Sequence, residues 1–234
     1  LGSQVNANYD VILRDYERVL RHKNRLLKDE ASDALVDSID EMLVTCGAQL
    51  TCYRHALLDR LTPHMIASYE GISGNRESLT CVFTPSWEAK TPSGSSPRVE
   101  VAYTRDSVRE ALSRALGERR ADERARKRAL IGPHADGVSF MLDDMDASCF
   151  GSQGQQRSIV LSCKIAEARI VEEVLDVKPL LLLDDVMSEL DGARREALVA
   201  FIAEDVQTIV TTANLAYFDA GMLARADIVE LSRL

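Results

Sequence analysis

The 234 residues predict an α/β fold, a mostly parallel sheet with flanking helices that carries an inserted α-helical arm. Three observations predict it. The last third alternates short apolar runs with helical stretches, the pattern of parallel strands covered by crossover helices. The first third keeps an apolar period of three and four residues, as amphipathic helices do. Between them lie short runs rich in β-branched and aromatic residues, separated by turn chemistry.

In chain order, Tyr9, Ile12, Tyr16, Val19, Lys23 and Leu26 form a first helical series. After a polar break at Asp29 to Asp33, a second runs through Leu35, Ile39, Met42, Cys46, Leu50, Tyr53, Leu57 and Leu61. Two helices joined by a short polar turn make an antiparallel hairpin, and Pro63 is expected to end or kink the second. Ser78 to Thr84 and Val99 to Thr104 read as strands around the loop Thr91 to Pro97, and Asp106 to Leu116 as a helix with Asp106 near its cap. Val138 to Leu142 is another strand. A helix from Gln153 to Leu175 precedes the strand Leu180 to Leu183, expected to be buried on both faces. A helix after Asp191, a strand Thr208 to Thr211 and a closing strand Ile228 to Leu231 complete the series. The organisation that follows is a helical arm over residues 1–72, a β-containing connection over 73–150 and a C-terminal half of the head over 151–234.

Composition excludes several classes. No apolar run approaches the roughly 20 residues needed to cross a bilayer, and the first residues hold no basic stretch followed by an apolar one, so no membrane partner and a cytoplasmic location are expected. Five cysteines without a C-x-x-C pair suit reduced thiols rather than a disulfide framework. The four scattered histidines give no ligand spacing for a metal held by side chains alone. A net charge of -9 argues against a small module coated in positive charge. Local basic patches remain compatible with nucleic acid, because placement matters more than the sum. The segment Arg105 to Arg128 holds nine basic and five acidic residues, and its plain reading is a solvated helical face.

Two motifs carry chemistry. The run Pro179-Leu180-Leu181-Leu182-Leu183-Asp184-Asp185 is an apolar strand ending in two carboxylates, at the edge where parallel sheets bind ligands. An acidic residue there can hold Mg²⁺ and its neighbour can orient or deprotonate an attacking water. The segment Gly151-Ser152-Gln153-Gly154-Gln155-Gln156-Arg157-Ser158 opens the long helix. Ser152 and Gln155 stand in the S-x-x-Q relation of a capping box, and Gly154 lets an anion approach free backbone N–H groups at the positive end of the helix dipole.

With Ser188-Glu189-Leu190-Asp191 added, the order is that of signature, Walker B and D-loop, and the chain resembles an ABC-type ATPase head of the RecF family. The likeness is most specific from Gly151 to Asp191, with Ser-Gln-Gly-Gln-Gln-Arg and Leu-Leu-Leu-Asp-Asp-Val-Met-Ser-Glu-Leu-Asp followed by Arg194-Arg195. Upstream, Ile131-Gly132-Pro133-His134 and the run from Tyr16 to Lys28 resemble the family as well. The resemblance implies that Ser152, Gln153, Gly154 and Gln155 meet the γ-phosphate of ATP carried by a second protomer. It further implies that Asp184 supports Mg²⁺, Asp185 is catalytic and Asp191 couples the two sites of an ATP-dependent homodimer. It implies binding to double-stranded DNA and to single-strand/duplex junctions, work with RecO and RecR in loading RecA, and a nucleoid-associated location.

Three departures accompany it. Ala135-Asp136-Gly137 stands where the family usually has Arg-Asp-Asp. Asp185 replaces the glutamate of many ABC heads, so slow turnover is expected. No G-x-x-x-x-G-K-[ST] occurs, so the chain is expected to be the C-terminal portion of a longer protein, inactive alone as an ATPase, with apolar sheet edges exposed. The alternatives are a Rad50- or SMC-type head, disfavoured by an arm of only about 60 residues, and a non-catalytic module binding DNA or a partner.

Overall fold

A computed structural model describes residues 1–88, 103–202 and 207–231. A short helix, α1 (Gly2–Val5), precedes α2 (Ala7–Lys28), which begins where the Asn6 side chain accepts from the Asn8 N–H. The polar turn is followed by α3 (Asp33–Ser73), a single helix of 41 residues and so about 60 Å long. Pro63 was expected to end or kink it, yet the helix runs through that position. The Thr62 hydroxyl donates to Leu58 O at 2.8 Å in the turn where proline offers no N–H. The helix stops instead at Gly74, whose left-handed conformation (φ 67°) suits a residue without Cβ.

After β1 (Leu79–Thr84) the loop expected at 91–97 lies outside the described residues, as does the strand expected at 99–104 except its last two positions. The next helix, α4 (Arg105–Arg126), is capped by Thr104 rather than Asp106 and continues ten residues beyond the expected Leu116. A 3₁₀ turn at Pro133–Ala135 leads into β2 (Gly137–Leu142) and β3 (Met145–Asp146). Strands β1, β2 and β3 form an antiparallel sheet in which Leu79 faces Leu142 and Thr84 faces Gly137. The short α5 (Ala147–Phe150) precedes α6 (Gln153–Leu175), with the bounds read from sequence. Then come β4 (Leu181–Asp184), a 3₁₀ turn Val186–Glu189, α7 (Gly192–Ile202), β5 (Thr208–Thr211), a 3₁₀ turn Leu215–Tyr217 and α8 (Ala220–Leu223). Strands β4 and β5 are parallel, with Leu182 opposite Ile209.

The class is therefore mixed α/β with helices dominant, and among the described residues its parallel sheet consists of β4 and β5. Two expectations are corrected. Ile228 to Leu231 forms no strand, and Ile228, Val229 and Leu231 are exposed with no neighbouring strand to pair them among the described residues. The leucine strand is buried on one face only: Leu181 and Leu183 are covered, whereas Leu182 is 67% exposed, because no element among the described residues covers its second face.

Helix α3 runs through all three apolar cores. Its first half meets α2 and α4 in a cluster of Tyr16, Val19, Leu43, Leu50, Leu112 and Ile131. Further along, Met65 and Tyr69 pack with Leu79, Leu142, Ile159 and Ala166. At its end Ile72 joins Leu161, Ile165, Leu183, Met187 and Leu198. Helices α2 and α4 and the C-terminal lobe thus share one rod. Among the described residues, no helix is long and apolar enough to cross a membrane.

Candidate functional site

The amino end of α6 is built by its own side chains. The Ser152 hydroxyl accepts from Gln155 N–H at 3.3 Å, and Gln155 Oε1 accepts from Ser152 N–H at 2.6 Å, closing the capping box. Gln156 Nε2 donates to Ala147 O at 3.0 Å and fixes the preceding turn. Ser152 and Gln153 lie at the surface, and Gly154 and Gln155 just beneath it. The first-turn amides of Gln153 and Gly154 precede any residue that could accept them within the helix, so this end is built to receive an anion.

Behind it lies an arginine. Arg194 Nε donates to the hydroxyl of the wholly buried Ser158 at 2.6 Å, and that hydroxyl donates in turn to Gly154 O at 2.9 Å. A Cβ on residue 154 would lie 3.2 Å from Arg194 Nη1, so glycine serves here for the close approach of that guanidinium. The same guanidinium bonds the Asp191 carboxylate, whose other oxygen caps α7 by accepting from Arg194 N–H at 2.9 Å. That amide, with the guanidinium beside it, holds the Asp191 carboxyl below its ordinary pKa. Asp191 and the start of α6 are thereby joined within one chain.

Asp184 and Asp185 end β4, both exposed. The Thr211 hydroxyl of β5 donates to Asp184 Oδ1 at 2.5 Å and accepts from Asp185 N–H at 3.1 Å, so the neighbouring strand orients the pair. Asp185 is left-handed (φ 48°), a conformation that aspartate tolerates better than most residues. Ser188 Oγ bonds both Asp185 O (2.9 Å) and Oδ2 (3.0 Å). Among the described residues no group of three or more candidate metal ligands occurs. Two adjacent carboxylates still fit Mg²⁺, which takes one or two from protein and the rest from water and phosphate. No hydrogen bond joins this pair directly to the start of α6 among the described residues. An open cleft of about 600 Å³ lies beside α6 and β4, lined by Gln153, Arg157, Val160, Leu182, Val186 and Leu190.

At the root of the arm, Gly132 takes φ 135° and lies so near Tyr16 that a Cβ would meet its hydroxyl at 2.4 Å. Tyr16 OH and His134 Nδ1 are 2.5 Å apart, and Arg54 Nη1 donates to Pro133 O at 2.6 Å. Asp136, the aspartate kept in the departing Ala-Asp-Gly segment, accepts from Ser86 N–H at 2.7 Å and Thr51 Oγ1 at 3.3 Å. The Gly-Pro-His segment is therefore a buttress for α2 and α3.

No protein-family model matches the chain. Curated relatives do. The DNA replication and repair protein RecF of Thermosynechococcus vestitus is 38% identical over 233 residues, covering 98% of this chain and 59% of the relative. The RecF proteins of Synechococcus sp. (strain JA-2-3B'a(2-13)) and Gloeobacter violaceus are each 36% identical over 97% and 98% of it. Over nearly its whole length the chain is similar to RecF proteins. It spans 59–60% of the length of these RecF relatives. Solved structures of the recombination mediator protein RecF in the RecFOR pathway, described as RecF-ATPrS and RecF-ATP, superpose with TM-scores of 0.75 and 0.74. Each is 30% identical and covers 90% of this chain, and the chain covers 55% and 54% of them. The fold is accordingly that of a RecF ABC-type ATPase head.

Sequence reasoning gave no individual role to Thr211, Ser188 or Ser158. Ser158 had a signal, since it lies four residues after Gly154 on the same helical face. Thr211 had none, because its role comes from the register of two strands.

Proposed function

We propose that this RecF-like chain supplies the signature, Walker B and D-loop side of an ATP-dependent DNA-binding protein of recombinational repair and replication. The observation that carries the reading is the capped, surface-lying start of α6, with Gly154 held from behind by Arg194. Ser152 and the amides of Gln153 and Gly154 take the γ-phosphate of ATP held by a second protomer. The helix end then favours the triphosphate dimer, and loss of that phosphate releases it. Asp184 would hold Mg²⁺, which would neutralise phosphate charge, and Asp185 would orient the water. Asp191, near the dimer seam, links the two sites.

Double-stranded DNA beside single-strand gaps is the proposed substrate, with RecO and RecR as partners in loading RecA, in the cytoplasm at the nucleoid. Of the nine basic residues between Arg105 and Arg128, Arg119, Arg120, Arg124 and Lys127 are committed to Asp122, Asp37, Asp33 and Glu30. The exposed Arg105, Arg109, Arg114, Arg126 and Arg128 are the proposed phosphate contacts, which makes binding fall steeply with salt. Hydrolysis is proposed to be weak and DNA-stimulated in the complete protein. It is expected to be absent from these 234 residues alone, which contain no phosphate-binding loop.

The test is sedimentation of the complete protein with magnesium and a non-hydrolysable ATP analogue, together with ATP turnover on duplex DNA. Wild type should dimerise, Ser152→Arg should stay monomeric, and Asp185→Asn should dimerise without turnover. A Ser152→Arg protein that dimerises like wild type would sink the reading.

A further inference from the structure

Between the end of α3 and β1 one carboxylate holds both the long helix and the start of α6. Glu77 Oε2 accepts from Tyr69 OH at 2.6 Å, and Glu77 Oε1 accepts from Gln155 Nε2 at 2.8 Å. Tyr69 is wholly buried in α3, and burial with Glu77 beside it raises its pKa, so the phenol remains the donor. Gln155 uses its other side-chain atom, Oε1, on Ser152 N–H. A continuous polar line therefore runs Tyr69, Glu77, Gln155, Ser152. Both polar atoms of the Gln155 side chain have a partner within the chain, so the side chain positions the start of α6.

The other end of the same rod is fixed in the arm. Asp40 of α3 lies 2.7 Å from Lys23 Nζ of α2, and Lys23 lies 2.6 Å from Glu123 of α4. Arg124 of α4 bonds Asp33 at the first turn of α3. α3 stays one continuous helix across Pro63, which removes one rung of its ladder, and Met65 and Tyr69 just beyond are packed in a shared core, so a shift of the arm reaches Tyr69. Other contacts hold α3 to α6 independently, among them His64 with Glu173 (3.1 Å) and Cys163 with Met65 (3.6 Å). Removing Glu77 therefore cuts the polar line without parting the helices.

We propose that Glu77 is a positioning residue that couples the arm to the amino end of α6, so that duplex DNA on the arm sets how well Ser152 and its neighbouring amides are placed. This rests on the proposed role of α6 in gripping the γ-phosphate. Two sites joined by such a link share a coupling of about 5- to 150-fold.

The experiment measures ATP turnover of the complete protein with and without duplex DNA, beside its thermal midpoint. Glu77→Ala should keep the basal rate and thermal midpoint and lose about 5-fold or more of the DNA stimulation. Tyr69→Phe should do the same, and the double variant should be no worse than either single one, since both cut one line. Glu77→Gln should keep the stimulation, because an amide can accept from Gln155 and donate to the Tyr69 oxygen. Full stimulation in Glu77→Ala overturns the proposal, as does an equal fall of basal rate, stimulated rate and thermal midpoint. Ser152→Arg separates the two readings. Wild-type turnover in that variant defeats the reading of α6 itself, whereas a dead Ser152→Arg beside a fully DNA-responsive Glu77→Ala defeats only the link.

Discussion

The Arg194 guanidinium donates to the buried Ser158 hydroxyl at 2.6 Å while gripping Asp191, so one side chain ties the residue before α7 to α6. Arg194→Ala leaves a buried hydroxyl without its donor and an acid without its cation. The expected loss is about 1–3 kcal/mol of stability, read from the urea midpoint at constant slope. Arg194→Lys should not restore it, because a single ammonium cannot reproduce the planar fork that serves both partners. Gly154→Ala should be less than additive with Arg194→Ala, since the Nη1 atom that the new methyl would meet at 3.2 Å is then gone.

Lys23 is wholly buried between Asp40 (2.7 Å) and Glu123 (2.6 Å), and Glu123 also accepts from Leu130 N–H at 2.7 Å. Lys23→Met strands two carboxylates in the arm core and should cost about 3–5 kcal/mol at neutral pH. Burial already raises the Asp40 pKa above its ordinary value. A carboxyl with a raised folded-state pKa contributes stability that is fully present below its unfolded value and lost as pH rises through the folded one. Urea titration of Lys23→Met at pH 7 and pH 5 should therefore show partial recovery at the lower pH. A variant that also carries Asp40→Asn and Glu123→Gln should regain most of the loss at both.

These two clusters mark how far the sequence was legible. The periods of Tyr9 to Leu26 and Gln153 to Leu175 place α2 and α6 because amphipathic helices write their spacing locally. The start of α6 was legible for the same reason, since a capping box spans four residues. Lys23 stood in the apolar series as one more inward position, and nothing local said that Asp40 and Glu123 would meet it. Thr211 and Glu77 were invisible on the same grounds, as they reach their partners across 27 and 78 positions. Pro63 misled because the local cost of a proline is outweighed by the cores that α3 joins. The Ile228 to Leu231 run misled because strand propensity needs a neighbouring strand to act on.

His134 Nδ1 sits 2.5 Å from the Tyr16 hydroxyl, and burial lowers its pKa from the ordinary 6.5. A histidine with a depressed folded-state pKa is neutral in the fold, and the unfolded chain binds its proton first as pH falls. Stability should drop as pH is lowered through and below 6.5. The check is the urea midpoint from pH 8 to pH 5 in wild type and in His134→Asn. The variant should be less stable at pH 8, and the gap should narrow on acidification. A gap independent of pH would show that the ring is held for its shape alone.

Leu182 of β4 faces Ile209 of β5 in register, and the two are 67% and 53% exposed, with Leu180 at 50% beside them. Parallel strands are normally covered on both faces, and contiguous exposed apolar area promotes association. Leu182→Thr places a β-branched residue on the strand while removing apolar surface from solvent contact. It should lower the concentration-dependent light scattering of the 234-residue chain and leave its urea midpoint within about 0.5 kcal/mol of wild type. Leu183→Thr, one residue along and 5% exposed, should do the reverse. A hydroxyl placed among Met187, Leu190 and Leu198 is buried without a partner and costs about 1–3 kcal/mol. If the two variants behave alike, the alternation along β4 is not what separates the covered face of this sheet from the open one.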